Sequence, residues 1–265
     1  MKPIDPALLS GIHVYYNPYS NCSQRVQLLC AEKQLDVEWH EIDLLGGEQL
    51  SDAFRAITPE CAVPAMVHDG KRVYDSVTIM RYLEKAFPSP SMTPDSELEK
   101  GQMEQLLDQA SASHMQQVVP YVYAQGIGRL PTPEQKAFYD RYVPVRSQFH
   151  NNRIAGKVAN DKQATREVID RQFSEFDKVL SKQPWLAGEQ YSLADIAWYA
   201  NYSLLRNLGY KLPHLPHFQN WVNAIESRPA YKTGIKDHLK PILECMPGVL
   251  LRCIAKTYRL FGNRK

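Results

Sequence analysis

Ser20, Asn21, Cys22 and Ser23 stand together in the stretch YYNPYSNCSQRVQLLC, where a strand-like run gives way to a helical one. A thiol and three short hydrogen-bonding side chains at such a junction admit two readings. Ser and Asn cap helices, because their oxygens accept from the first backbone N–H groups, which the helix itself leaves unpaired. Those outward N–H groups also carry a partial positive charge that favours an anion or a thiolate. On these residues alone capping stands first. The chemical reading is energetically within reach. A thiol with a pKa near ~8.5 is mostly protonated at neutral pH, and lowering that value by about two requires roughly 2.7 kcal/mol of preference for the anion. A hydroxyl donor and helix N-terminal N–H groups can supply this, at about 1.5–3 kcal/mol for each hydrogen bond to a charged group.

The elements that must position these residues alternate in type over the first 88 positions. IHVYY (Ile12–Tyr16) has strand character, and 22–34 has a helical period with Val26, Leu29 and Cys30 on one face. Cys30 thus belongs to the packed face. VEWHEID (37–43) alternates like a second strand, and a helix is expected after Gly46 and Gly47. AVPAMVHDGKRVYDS holds two short strands about Asp69-Gly70, a strong hairpin signal. SVTIMRYLEKAF closes the unit as a helix with Ile79, Tyr82, Leu83 and Phe87 on its buried face. The order β-α-β-α-β-β-α describes a small mixed sheet with helices. A proline-bearing linker (88–97) follows, and beyond it the strand signals fade. Helices are expected at 98–117, 162–182, 193–208 and 218–226, with loops at GIGRLPTPEQ and HNNRIAGKVANDKQ. Ser192, with Asp195 three residues on, reads as a helix-capping pair.

Composition narrows the function classes. The 265 residues are 44% apolar and 23% charged with a formal net charge of +2, which gives no basic footprint for nucleic acid. No run approaches the ~20 apolar residues of a membrane span, and the N-terminal stretch lacks a signal-peptide core. Five cysteines, Cys22, Cys30, Cys61, Cys245 and Cys253, form no CxxC pair. That argues for a reducing cytoplasm and against a disulfide framework or structural zinc. No metal site is expected, and His114, without a second ligand at helical spacing, reads as an ordinary polar residue.

Four ordered stretches resemble the glutathione S-transferase family. SNCSQRV is similar to the signature of the zeta (maleylacetoacetate isomerase) class and to the catalytic-cysteine motif of glutathione-dependent reductive dehalogenases. AVPAMVHDG, YDSVTIMRYLEKAFP and WLAGEQYSLADIAW resemble the family's Val-Pro turn, its acidic-Ser helix start and its helical-domain signature. The resemblance implies a thioredoxin-like α/β domain at 1–88 that binds glutathione, the co-substrate, and an all-helical substrate domain at 98–265. It implies a cis bond before Pro64 and pairing of the Val63 backbone with glutathione. It further implies that Ser76 holds the γ-glutamyl carboxylate and Asp75 lies near the amine. Ala62 departs from the zeta pattern, which has Gln there. By the same resemblance the activating serine falls on Ser20 and the reactive cysteine on Cys22, while Asn21 and Ser23 remain alternative donors.

The second half, from YVPVRSQFH to QYSLAD, is similar to bacterial lignin β-aryl ether-cleaving transferases in length and character. That likeness implies an aromatic small-molecule substrate in a long apolar cleft. Tyr19, Tyr121 and Tyr123 are candidates to line it, although core packing accounts for Tyr121 and Tyr123 at least as well. A dimer, homo- or heteromeric, is implied. The competing readings are a reductive dehalogenase, a zeta-like isomerase and a non-enzymatic adaptor. The adaptor would use the tail PGVLLRCIAKTYRLFGNRK, whose Arg252, Lys256 and Arg259 oppose Leu251, Ile254, Tyr258 and Phe261 on a helix suited to a membrane surface or a partner subunit.

Overall fold

The structure is a computed structural model that describes residues 5–124, 130–156 and 162–239. β1 (Ile12–Tyr16) is fully buried and sits second in a four-stranded sheet. β2 (Val37–Glu41) lies parallel to it on the outer edge; β3 (Ala65–His68) and β4 (Lys71–Tyr74) complete the order β2-β1-β3-β4 with antiparallel pairings. The β3–β4 hairpin turns at Asp69 (φ 48) and Gly70 (φ 77), the left-handed pair that an Asp-Gly dipeptide accommodates.

Alternation along β1 divides the core. Ile12, Val14 and Tyr16 join one cluster with α1 (Asn21–Glu32) and α3 (Ser76–Ala86), whereas Tyr15 faces Phe54 and Ile57 of α2 (Asp52–Ile57). The segment expected to form one helix after Gly47 is split, because Ser51 starts α2 by accepting the Phe54 N–H at 3.2 Å.

The second half is all-helical among the described residues: α4 (Glu97–Ser113), α5 (Val119–Ala124), α6 (Pro133–Tyr142), α7 (Pro144–Ile154), α8 (Lys162–Leu180), α9 (Leu193–Asn207), α10 (Pro216–Glu226) and α11 (Pro229–Gly234). The chain is therefore a thioredoxin-like α/β unit followed by a helical one. The long helix expected at 98–117 is interrupted by a π-helical turn at His114–Val118. α6 begins inside the expected loop at 126–135, and α7 runs into the one expected at 150–163. Pro133 and Pro144 each occupy the first turn of a helix, where a missing N–H costs nothing, and Thr132 and Gln135 close a capping box ahead of α6. Ser192 and Asp195 form the expected capping box of α9; the buried Asp195 carboxylate also accepts from Leu186 N–H at 2.9 Å and Trp221 Nε1 at 2.8 Å. The amphipathic tail and the 125–129 segment lie outside the described residues.

The halves share one apolar cluster, in which Val26 and Leu29 of α1 join Ala197 and Trp198 of α9. A bidentate ion pair from Arg228 to Glu32 (2.6 and 2.9 Å) ties the start of α11 to the end of α1.

Candidate active site

α1 begins with Ser20 as its cap, the side-chain oxygen accepting the Ser23 N–H at 3.3 Å. This cap fixes which side chains of SNCS face outward. Asn21 and Ser23 turn inward. Asn21 is 1% exposed and donates Nδ2 to Asn201 Oδ1 at 2.7 Å; the fully buried Ser23 hydroxyl accepts the Asn17 N–H at 3.2 Å. The Asn21 amide and the Ser23 hydroxyl oxygen are thus engaged inside the fold. Cys22 is the residue left facing the cleft.

That cleft has a volume of about 450 Å³. Cys22 and Arg25 of α1, Asp75 and Ser76 at the start of α3, Pro59, Glu60 and Ala62 before β3, Ser111, His114 and Met115 at the end of α4, and residues 142–146 with Phe149 at the corner of α6 and α7 line it. Ser20, Val63, Pro64, Tyr19, Tyr121 and Tyr123 are not part of this lining. Val63-Pro64 is cis, and Val63 packs beneath the second core cluster next to the lining residue Ala62. Tyr121 is 3% exposed and meets Tyr210 edge-on, which makes it a core residue; Tyr123 packs on Phe149 and under Arg153.

The strand-to-helix junction at Asp75 supplies the acidic-Ser pair. Asp75 caps α3 by accepting the Thr78 N–H at 2.9 Å, and its φ of 69 is a strained conformation for a residue with a side chain. Ser76 is 3% exposed and accepts from Arg25 Nη1 at 3.0 Å. Arg25 is the unexpected member of the site. Three residues after Cys22 on the same helix face, it is 1% exposed. Its other bonds, to Ala110 O at 2.7 Å and Asn201 Oδ1 at 2.8 Å, are all to neutral acceptors. A buried guanidinium held only by dipoles keeps its field available to an anion in the cleft.

Cys22 is positioned to be that anion. Burial pushes its thiol up, but the His114 imidazole and the Arg25 guanidinium nearby, with hydrogen bonds from His114 and Ser76, outweigh burial and bring it down from 9.0 to about 6. By contrast burial pushes the core thiol Cys30 up to about 12. His114 reaches this place because the π turn after α4 starts at that residue, a common device at functional positions. Arg25 carried a sequence signal, its i+3 spacing from Cys22. His114, Arg146 and Phe149 carried none, since their approach depends on how the helices dock.

A family model described as the glutathione S-transferase N-terminal domain matches residues 14–91, and one described as the C-terminal domain matches 118–229. The chain belongs to the glutathione S-transferase superfamily. It is 27% identical over 216 residues to protein LigF of Sphingobium sp. strain SYK-6, covering 76% of this chain and 84% of that one. The crystal structure of that β-etherase superposes with a TM-score of 0.70 at 25% identity, over 85% of this chain and 99% of the other. Glutathione S-transferase F9 of Arabidopsis thaliana is also 27% identical, over 85% of this chain and 97% of its own length. Mouse maleylacetoacetate isomerase reaches 36% identity, but over 88 residues, 32% of this chain and 41% of the isomerase. Glutathione is the co-substrate, and the activity is transfer of its thiol to an electrophile.

Proposed function

We propose that this transferase acts on aromatic electrophiles and cleaves β-aryl ethers. The observation that carries the reading is the cleft. Its lining includes the polar Cys22, Asp75 and Ser76 together with Met115, Tyr142, Val143, Val145 and Phe149, surfaces suited to aromatic rings. The likeness to a β-etherase, over 76% of this chain in sequence and 85% in structure, supports ether cleavage. In this reaction the glutathione thiolate forms a C–S bond at the carbon β to an aromatic ketone. The C–O bond breaks, and an aryloxide leaves with the electron pair and takes up a proton. Orientation supplies the larger part of the rate, and stabilisation of the departing aryloxide by the cationic side of the cleft supplies the rest.

Glutathione is assigned to the 1–88 half, with Val63 and Pro64 at its cysteinyl backbone and Asp75 and Ser76 at its γ-glutamyl end, and the aromatic group to the 98–265 half. Ser20, whose hydroxyl proton is free to donate while its oxygen caps α1, and Cys22 are the two candidates to steady the glutathione sulfur. A cytoplasmic dimer completes the proposal; the free thiols of Cys22, Cys30 and Cys61 suit a reducing compartment, and no described helix is long and apolar enough to cross a membrane.

The low pKa of Cys22 favours a second reading, reductive dehalogenation. There the Cys22 thiolate attacks the sulfur of a glutathionyl adduct and forms a mixed disulfide. The reduced carbon leaves with the electron pair and is protonated, and a second glutathione releases Cys22 as glutathione disulfide forms. Cys22→Ser separates the two. Mass spectrometry should find the glutathionyl thioether formed from a β-aryl ether ketone at a substantial fraction of the parent rate. Loss of all adduct formation from such ethers counts against ether cleavage, and accumulation of an adduct from a chlorinated hydroquinone, which the parent clears, establishes the reductive role.

A further inference from the structure

A second group of ligand-type side chains lies on the sheet, and none of its members borders the cleft. β1 and β2 run parallel with His13 opposite Glu38 and Tyr15 opposite His40. The two-residue period of a strand puts all four on one face. His13 Nε2 lies 3.0 Å from the Ser10 carbonyl. A carbonyl only accepts, so Nε2 carries the ring proton and Nδ1 is left with its lone pair. That Nδ1 is 3.1 Å from His40 Nε2 and 3.4 Å from Glu38 Oε2, and His40 Nε2 is 3.5 Å from Glu38 Oε1.

These separations decide the reading. A proton shared between the two rings accounts for the contact between nitrogens, but 3.4 and 3.5 Å are long for hydrogen bonds to the carboxylate. A tetrahedral ion with bonds of about 2.0–2.1 Å holds neighbouring donor atoms about 3.3–3.4 Å apart, close to the 3.1 Å between the two nitrogens and the 3.4 Å from His13 Nδ1 to Glu38 Oε2; one Glu38 oxygen lies within 4.8 Å of both nitrogens, so a small rotation of the exposed carboxylate completes the set. We propose that His13 Nδ1, His40 Nε2 and the Glu38 carboxylate bind one divalent transition-metal ion of the zinc type, with the fourth position open to solvent. The supporting contacts are those such a site needs. The Ser10 carbonyl fixes the tautomer of His13, and the Tyr15 ring stacks on His40 at 4.5 Å and 17°, fixing its plane. Two imidazoles and a carboxylate suit zinc and its neighbours rather than a hard ion such as calcium. The signal escapes a search for closely spaced cysteines, because one ligand comes from β1 and the others from an E-x-H alternation on β2. The ion would clamp the edge strand β2 to β1 across the segment containing α1, which makes it a stabilising site.

The test uses the full-length chain, stripped with a chelator, desalted and titrated with zinc against a chromogenic competitor. One equivalent should bind per chain, and zinc should raise the thermal midpoint. His40→Gln and Glu38→Gln should each weaken binding by at least about tenfold to a hundredfold, the loss that even supporting partners of a metal cause, and should abolish the thermal gain. Glu38 is 65% exposed, so its variant keeps the fold if His40→Gln does not. Cys22→Ser should retain the full equivalent, because the cleft thiol is a separate potential ligand. Absence of a bound equivalent overturns the proposal, as does binding undiminished in both sheet variants or lost on replacing Cys22 alone.

Discussion

Replacing His114 with Gln tests the account of the Cys22 thiolate at its strongest point. At about 6 the thiol is roughly nine-tenths ionised at pH 7, whereas at 9.0 it would be about one part in a hundred, a difference of ~4 kcal/mol. Burial opposes ionisation, so the favourable contributions together exceed that figure. There are four of them, in order of size: the charge of His114, the charge of Arg25, the hydrogen bond from His114 and the hydrogen bond from Ser76. The first and third belong to His114, which makes it the leading source of the lowering. His114→Gln should therefore move the Cys22 midpoint upward by about one pH unit or more and cut its ionised fraction at pH 7 from about nine-tenths to about half or less. The assay is the pH dependence of iodoacetamide alkylation without glutathione, read on the Cys22 peptide by mass spectrometry. Cys30, pushed up to about 12 by burial, provides an unreactive internal control. A midpoint that stays within about half a pH unit of 6 in the variant would refute the assignment and leave Arg25 as the source.

Three further outcomes follow from the same geometry. Ser76→Ala should weaken glutathione binding by roughly 1–3 kcal/mol, about fivefold to 150-fold in Kd; calorimetry giving unchanged affinity would remove Ser76 from the glutathione site. Asn201→Leu strips acceptors from Arg25 and Asn21 at nearly constant volume, and should cost about 3–5 kcal/mol in denaturant unfolding because it leaves a buried charge short of a partner; a cost under about 1 kcal/mol would mean the knot is not fully desolvated. His150, in α7 beside the cleft, is pushed down from 6.5 to about 4, first by burial and then by Arg153, Arg146 and Lys136. Its neutral form is the native one, so its contribution to stability is full above pH 6.5 and is lost as pH falls towards 4. Thermal midpoints of His150→Phe should fall less than those of the parent across that window, and an equal fall would exonerate His150.

The sequence by itself determined the elements and their order. The strand character of Ile12–Tyr16, the Asp69-Gly70 turn, the Ser20 cap and the Ser192–Asp195 box are local, since each depends on backbone hydrogen bonding or residue type within a few positions. Local rules also misled where they had two meanings. Pro133, in the stretch expected as loop, is equally at home in the first turn of a helix, and there it starts α6. Which side chains meet the cleft was decided only by tertiary structure. Ser20, Asn21, Cys22 and Ser23 are adjacent and chemically similar, and the docking of α1 against α4 and α9 turns Asn21 into the interior and leaves Cys22 at the cleft. The thiolate depends on Arg25, three residues away, and on His114, brought from the far end of α4 by a π turn. An electric field at a sulfur falls off with distance in space and takes no account of separation along the chain, so a low thiol pKa is a property of the folded molecule alone.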